Sequence, residues 1–578
     1  MKVAEAVGRA LVAAGVGQVF GVVGSGNFHL TNAMVAAGAR FVAARHEGGA
    51  ATMADAYARV SGTLAALSVH QGPGLTNALT GIAEAAKSRT PLLVLAAEVT
   101  EPRSNFHIDQ DALARAVDAV PMRVISAEDA VEQALAAAGR AVRDRRTVLL
   151  NLPLPVQELE VLDAEVPDSL RVPAAEPPPR TPVDPVDPVD PVEPTEVDVA
   201  ALAHVLEQAR RPVFVAGRGA RSPGAGDALE ALADHCGALL ATSAVARGLF
   251  HGNPWSLDVS GGFASPLAAE LIAGADTLVG WGCALNMWTM RHGTLIGAGT
   301  TVVQVDDDPA ALGAHRKVHL GVTGDVARTA RRVLETLEAG GEKRQGCRTA
   351  DTAAALTARV RWRDVPYDDM SGKRVNGKGA TGEDMGGEAR IDPRTLTIAL
   401  DDLLPPERVI GVDSGNFMGY PSMYLSVPDE NGLCFTQAFQ SIGLGLATAI
   451  GAALARPDRL PVAALGDGGA LMGAAELDTV RRLGLPMLVV VYNDAAYGAE
   501  VHHFGPDGHP LDTVEFPDTD IAAVARGYGF EAVTVRTPAD LRPVEDWIAG
   551  PRSTPLLIDA KVVKDRGSWW LEEAFRGH

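Results

Sequence analysis

The 578-residue chain is poor in aromatic residues, at 5%, holds only 4 cysteines, and has too few basic side chains to balance its acids. Its 51 Lys and Arg against 72 Asp and Glu leave a net charge of −21, which argues against nucleic acid or an anionic membrane surface as partner. Cys236, Cys283, Cys347 and Cys434 lie far apart and form neither a CxxC pair nor a metal-ligand pattern. They read as thiols in a reducing compartment. No apolar run approaches the roughly 18 residues that would span a bilayer. The opening MKVAEAVGRALVAAGVGQVF has the pattern of an amphipathic helix leading into a strand rather than of a secretory signal, so a cytoplasmic protein is expected.

What the chain does have is alternation. Helical and strand-like segments succeed one another over residues 1–165, again over 196–338 and again over 392–578, which predicts an α/β protein of three doubly wound, mostly parallel-sheet domains. Residues 166–195 are Pro-rich, with Pro177-Pro178-Pro179 and repeated VDP units, and read as an extended tether. Residues 339–391 include the Gly- and charge-rich MSGKRVNGKGATGEDMGGEARIDP and read as a flexible linker. The stretch Gly21 to Gly26 reads as a turn, without an evident helix start behind it.

Residues 461–498 carry the densest signal. Pro461–Leu465 is a short apolar run that breaks at Gly466-Asp467-Gly468-Gly469, a helical stretch follows, and Met487–Tyr492 is a second apolar run ending in Asn493-Asp494. This is a βαβ unit, whose right-handed crossover brings both strand ends to one edge of the sheet. A Gly-rich turn at a helix start favours phosphate, and carboxylate, amide and phosphate oxygens together suit magnesium.

Gly466-Asp467-Gly468, 24 further residues, then Asn493-Asp494 resembles the motif of thiamine-diphosphate-dependent enzymes such as acetolactate synthase, pyruvate oxidase and benzoylformate decarboxylase. The resemblance runs through the chain in that family's order of pyrimidine-binding, central and diphosphate-binding domains. It implies metal ligation by Asp467, Asp494 and Ala496, although Asp494 stands where the family usually has a second Asn. It implies cofactor contacts from Gly466, Gly468, Gly469, the strand-end set Asp413, Ser414, Gly415 and Asn416, and the segment holding Gln440 and Ile442. Ile442 matches the residue that bends the cofactor, and Gln440 replaces a usual Gly. Glu47, in ARHEGGAATMADAYAR, matches the Glu that holds a proton at N1′ of the aminopyrimidine. Apolar neighbours such as Ala50, Ala51 and Met53 would favour sharing of that proton.

His70 precedes a Gly72-Pro73-Gly74 loop and matches an acid/base His of benzoylformate decarboxylase. Ser25, His29, His107 and His502 are the other candidates for facing substrate. The implied activity is decarboxylation of a 2-oxo acid followed by ligation to a second carbonyl, as in acetolactate synthase. The alternatives are a non-ligating decarboxylase or lyase, and a homologue that binds cofactor without catalysis. The resemblance also implies a homodimer or a dimer of dimers. Some relatives bind FAD in the central domain; Gly282 to His292 lacks their Arg-rich pattern, so FAD is the less favoured reading.

Overall fold

The computed structural model describes residues 1–161, 191–372, 377–378, 384–385, 388–564 and 567–574. Most of the Pro-rich tether therefore lies outside the described residues. Three six-stranded sheets organise the chain, and every pairing within them is parallel.

The first sheet contains β1 (Gln18–Gly21), β2 (Arg40–Ala43), β3 (Ala65–Val69), β4 (Leu92–Glu98), β5 (Val120–Arg123) and β6 (Thr147–Pro153), in the order β2-β1-β3-β4-β6-β5. The central sheet contains β7 (Pro212–Ala216), β8 (Leu239–Thr242), β9 (Ser256–Val259), β10 (Thr277–Trp281), β11 (Thr301–Asp306) and β12 (Leu320–Thr323), in the order β12-β11-β10-β7-β8-β9. The third contains β13 (Arg408–Val412), β14 (Leu433–Phe435), β15 (Leu460–Gly466), β16 (Leu488–Asn493), β17 (Glu531–Val535) and β18 (Leu556–Lys561), in the order β14-β13-β15-β16-β18-β17. Central strands such as β4 and β16 are buried along their whole length. Their unbroken apolar runs reflect sheets covered by helices on both faces.

The first and third domains share a core. Ala50, Ala51, Met53 and Ala54 of the helix Glu47–Ser61 lie in one cluster with Leu446, Ala447 and Ile450 of the helix Gly445–Ala455. Small side chains let these helices approach closely. A Cβ on Gly451 would stand 2.2 Å from the Met53 carbonyl oxygen. A buried ion network reinforces the contact: Arg59 pairs with Asp55 and Glu84, and its guanidinium also donates to the Phe435 carbonyl.

Two local expectations need revision. A helix, Phe28–Ala36, does follow the Gly21–Gly26 turn, and its N-cap Asn27 makes no side-chain capping bond. The expected linker is also not irregular throughout. Ala350–Arg359 is a helix capped by Thr349, its Leu356 is buried in the central-domain core, and the Trp362 indole donates to the Phe263 carbonyl.

Candidate active site

The third sheet fixes the first half of the site. Val412 pairs with Ala464 and Gly466 with Tyr492, so Asp413, Asp467 and Asp494 all leave their strands at the same edge. Asp467 and Asp494 are each 8% exposed. Their carboxyls lie close enough to each other and to the Ala496 N–H for each to shift the other's titration. Burial pushes Asp467 up to about 6. Burial and then the adjacent Asp467 charge push Asp494 up to about 8. Two carboxyls held together away from water cannot both ionise unless a cation lies between them.

Backbone geometry keeps this corner open. A Cβ on Gly468 would meet the Tyr497 ring at 2.6 Å, and one on Gly469 would meet Asp413 Oδ2 at 2.0 Å. Ala495, between the carboxylate and Ala496, is forced to φ 56°. Asn493 turns away: it donates to Asp559 Oδ1 at 2.9 Å and accepts from the Ala495 N–H. Asn493 therefore does not join Asp494 in facing Asp467, because successive strand residues face opposite ways.

Asp413 is wholly buried, pushed up to about 6 by burial, and accepts from the N–H groups of Ser414, Gly443 and Leu444. Its oxygens are engaged in shaping the turn after Ile442 rather than turned outward. Gly443 there has φ 87°. Gln440 is exposed and held at φ 58°, a left-handed conformation that costs a side-chain-bearing residue about 1–2 kcal/mol. The bend leading to it is pinned from the first domain, since Glu84 accepts from the Ala438 and Phe439 N–H groups. Burial works to raise the Glu84 carboxyl, but Arg59 and those two donors outweigh it and hold it below the usual range. Asn416, near Ser414 and Gly415, is tied to the C-terminal segment through Ser568 and Trp570.

The first domain carries the other candidate residues. Glu47 opens its helix, the preceding His46 accepting from the Gly48 N–H. Asn77, in the segment that begins at Gly72-Pro73-Gly74, donates to Glu47 Oε2 at 3.1 Å across 30 residues. Ala50, Ala51 and Met53 are buried in the shared core, while Glu47 itself is half-buried. Glu47 and His70 flank Gly74: a Cβ there would lie 3.1 Å from His70 Cβ and 3.5 Å from Glu47 Oε1. Burial lowers the His70 imidazole, and the Glu47 charge only partly opposes this.

His70 Nδ1 accepts from the Gly26 N–H at 3.3 Å, and its ring meets Phe106 edge-on at 5.6 Å. The loops bearing Ser25 and His107 therefore close on His70. His29 is exposed beside Phe28, and His502 packs against Gly567 of the C-terminal segment. Neither has a contact with His70 among those described.

Residues 1–135 match the thiamine pyrophosphate enzyme N-terminal TPP binding domain, 199–333 the central domain, and 413–560 the C-terminal TPP binding domain. The chain belongs to the thiamine pyrophosphate enzyme family. It is similar to sulfoacetaldehyde acetyltransferase of Alcaligenes xylosoxydans xylosoxydans, 28% identical over 94% of this chain and 89% of that protein. A putative acetolactate synthase large subunit of Mycobacterium tuberculosis is 29% identical over 91% of this chain and 92% of its own length. A probable 2-ketoarginine decarboxylase of Pseudomonas aeruginosa is 29% identical over 94% and 90%. The protein is a thiamine-diphosphate-dependent enzyme of this carboligase and decarboxylase group.

The site fits this family's cofactor in its chemistry. Bare glycine backbone lies beside two buried carboxyls, and a carboxylate stands at the matching edge of the first domain. Among the described residues no three or more His, Cys, Asp or Glu gather into a metal cage. Magnesium does not require one, because phosphate and water oxygens fill much of its shell. Among the described residues no helix is long and apolar enough to cross a membrane.

Proposed function

We propose that this thiamine pyrophosphate enzyme uses thiamine diphosphate and Mg2+ to decarboxylate a 2-oxo acid and to join the remaining fragment to a second carbonyl compound. The observation that carries this is the buried Asp467–Asp494 pair at adjacent strand ends beside the Gly466–Gly469 turn. Asp467, Asp494 and the Ala496 carbonyl would hold the metal. Gly466, Gly468 and Gly469, with Ser414, Gly415 and Asn416 on the neighbouring loop, would bound the diphosphate. Asp413 would act from behind, by holding the Gly443 turn that presents Ile442 to the cofactor. Gln440 would offer its backbone carbonyl to the aminopyrimidine.

Thiamine diphosphate, when bound, supplies a nucleophilic carbon and an electron sink for the bond that releases carbon dioxide. Glu47, oriented by Asn77, would hold the proton at pyrimidine N1′. His70, kept neutral near pH 7 by burial, would take or give a proton on the substrate side. Ser25 and His107 share its rim, while His29 and His502 are more peripheral candidates.

Exposed apolar side chains lie on both halves: Phe28 at 51% and Phe106 at 43% on the first domain, Phe439 at 46% and Met472 at 55% on the third. Such surface suits a second copy of the chain, with Glu47 of one subunit serving the cofactor held by Asp467 of another in a dimer or dimer of dimers. FAD is disfavoured by the central-domain turn, where the Gly217 and Gly219 N–H groups are spent on the Trp281 and Gly282 carbonyls. The four cysteines are free, and burial pushes their thiols up to about 11 or 12, in keeping with a cytoplasmic setting.

A second reading, a decarboxylase that releases an aldehyde without ligation, is favoured by neutral His70 beside Glu47. Incubating the enzyme with a panel of 2-oxo acids, with and without aldehyde or 2-oxo acid acceptors, tests both. A 2-hydroxyketone or 2-hydroxy acid product supports ligation, and aldehyde alone supports the second reading. Cofactor binding without turnover of any 2-oxo acid would instead indicate a non-catalytic homologue.

A further inference from the structure

The segment that delivers Glu47 is held by the other end of the chain. Glu476 is 3% exposed and lies nine residues after Asp467 in the same connection between β15 and β16. Its Oε1 accepts from the backbone N–H groups of Arg45 and His46, each at 3.0 Å, and its Oε2 from the Thr479 hydroxyl at 2.6 Å. The fit is tight, since a Cβ on Gly49 would lie 2.6 Å from Glu476 Oε1. Asp478 pairs with the Arg45 side chain at 2.6 Å, and Arg482 donates to the Ala43 carbonyl. Residues 43–46 are thus gripped at both backbone and side chain by one short stretch of the third domain.

No cation pairs with Glu476 among the described residues, so its hydrogen-bonding capacity goes largely to peptide groups. A buried carboxyl is a costly way to join two domains, and apolar packing of similar volume would do as well for cohesion. A carboxyl does give a fixed acceptor position for two consecutive N–H groups, which sets the start and tilt of the helix that Glu47 opens.

We propose that Glu476 is the positioning residue for Glu47: from the domain that carries Asp467, it fixes the backbone immediately before Glu47 and thereby the place of the Glu47 carboxylate. This rests on the reading of Glu47 given above. Moving a catalytic group by about 1 Å can cost roughly 100-fold in rate.

The test compares Glu476→Ala and Glu476→Gln in the full chain. Glutamine keeps an acceptor facing Arg45 and His46 and turns its amide toward Thr479. In the cofactor-free protein, hydrogen exchange of peptides covering 43–49 should rise about tenfold or more in the alanine variant and stay near wild type in the glutamine variant. Turnover per folded enzyme should fall roughly 10- to 100-fold for alanine, with KM changed less than about threefold, and recover with glutamine. Unchanged exchange over 43–49 in Glu476→Ala, or faster exchange with unchanged turnover, would overturn the proposal, as would a glutamine variant as impaired as alanine. Glu47→Gln separates the two claims. Wild-type turnover in Glu47→Gln would overturn the role of Glu47 itself, whereas slow Glu47→Gln beside a fully active Glu476→Ala overturns only the positioning role.

Discussion

Replacing Asp494 by Asn tests what the acidic pair does before any metal arrives. Asp494 is 8% exposed, beside Asp467, and pushed from an ordinary 3.8 to about 8 by burial and by its neighbour's charge. Ionising it in the cofactor-free fold is costly, because the charge leaves water and faces the Asp467 carboxylate. The sign follows from proton uptake. With a folded pKa above the unfolded one, the native state binds more protons between pH 4 and 8, so stability falls as pH rises through that window. Asp467 and Asp413, each pushed up to about 6, add slope over its lower half. Asp494→Asn removes the largest contribution and leaves the general repulsion of a −21 chain almost unchanged. Denaturant unfolding in EDTA, at intervals from pH 5 to 8.5, should show wild type losing stability more steeply than the variant, with the variant more stable by a few kcal/mol at the alkaline end. Mg2+ with thiamine diphosphate should flatten the wild-type curve. Parallel curves for the two proteins in EDTA would refute the reasoning.

Three other perturbations probe separate parts of the site. Gln440→Gly should stabilise the fold by up to about 1 kcal/mol by denaturant midpoint, relief of the left-handed strain exceeding the entropy added to the unfolded chain. His70→Ala should lower turnover by roughly 10²- to 10⁴-fold while leaving thiamine diphosphate affinity, measured by calorimetry, nearly unchanged. Because burial lowers the His70 pKa, its contribution to stability is full above pH 6.5 and lost as pH falls below it. Mixing inactive Glu47→Ala and Asp467→Ala chains under subunit exchange should restore some activity if sites are built between subunits, and exchange without recovery would place each site within one chain.

The sequence made the acidic pair legible because its signals are local: two apolar strands, a Gly-rich break and a fixed interval. Glu47 was legible only through resemblance, since an acidic residue in a first helical turn is otherwise common dipole complementation. Asp413 was legible as a strand-end carboxyl but not in its orientation. Only the folded Gly443 turn shows the N–H groups that occupy it. Asn493 misled for a similar reason, because strand alternation sends it toward Asp559 while the motif pairs it with Asp494. Asn77 and Glu476 act across 30 and 430 residues, beyond any periodicity. The helix Phe28–Ala36 was missed because it starts directly behind a Gly-rich turn, and the Asn27 side chain there bonds back to Val22, Gly24 and Ser68 instead of capping the helix. Ala350–Arg359 was obscured by the Gly- and charge-rich stretch that follows it.

The central claim is that Glu47 activates a cofactor held at the Asp467–Asp494 corner. Exchange of the C2 proton of bound thiamine diphosphate for deuterium, followed by quenched proton NMR, tests it most directly. The account predicts slow exchange in Glu47→Gln, whose amide cannot supply the proton that N1′ requires, and near-normal exchange in His70→Ala. Normal exchange in Glu47→Gln would contradict it.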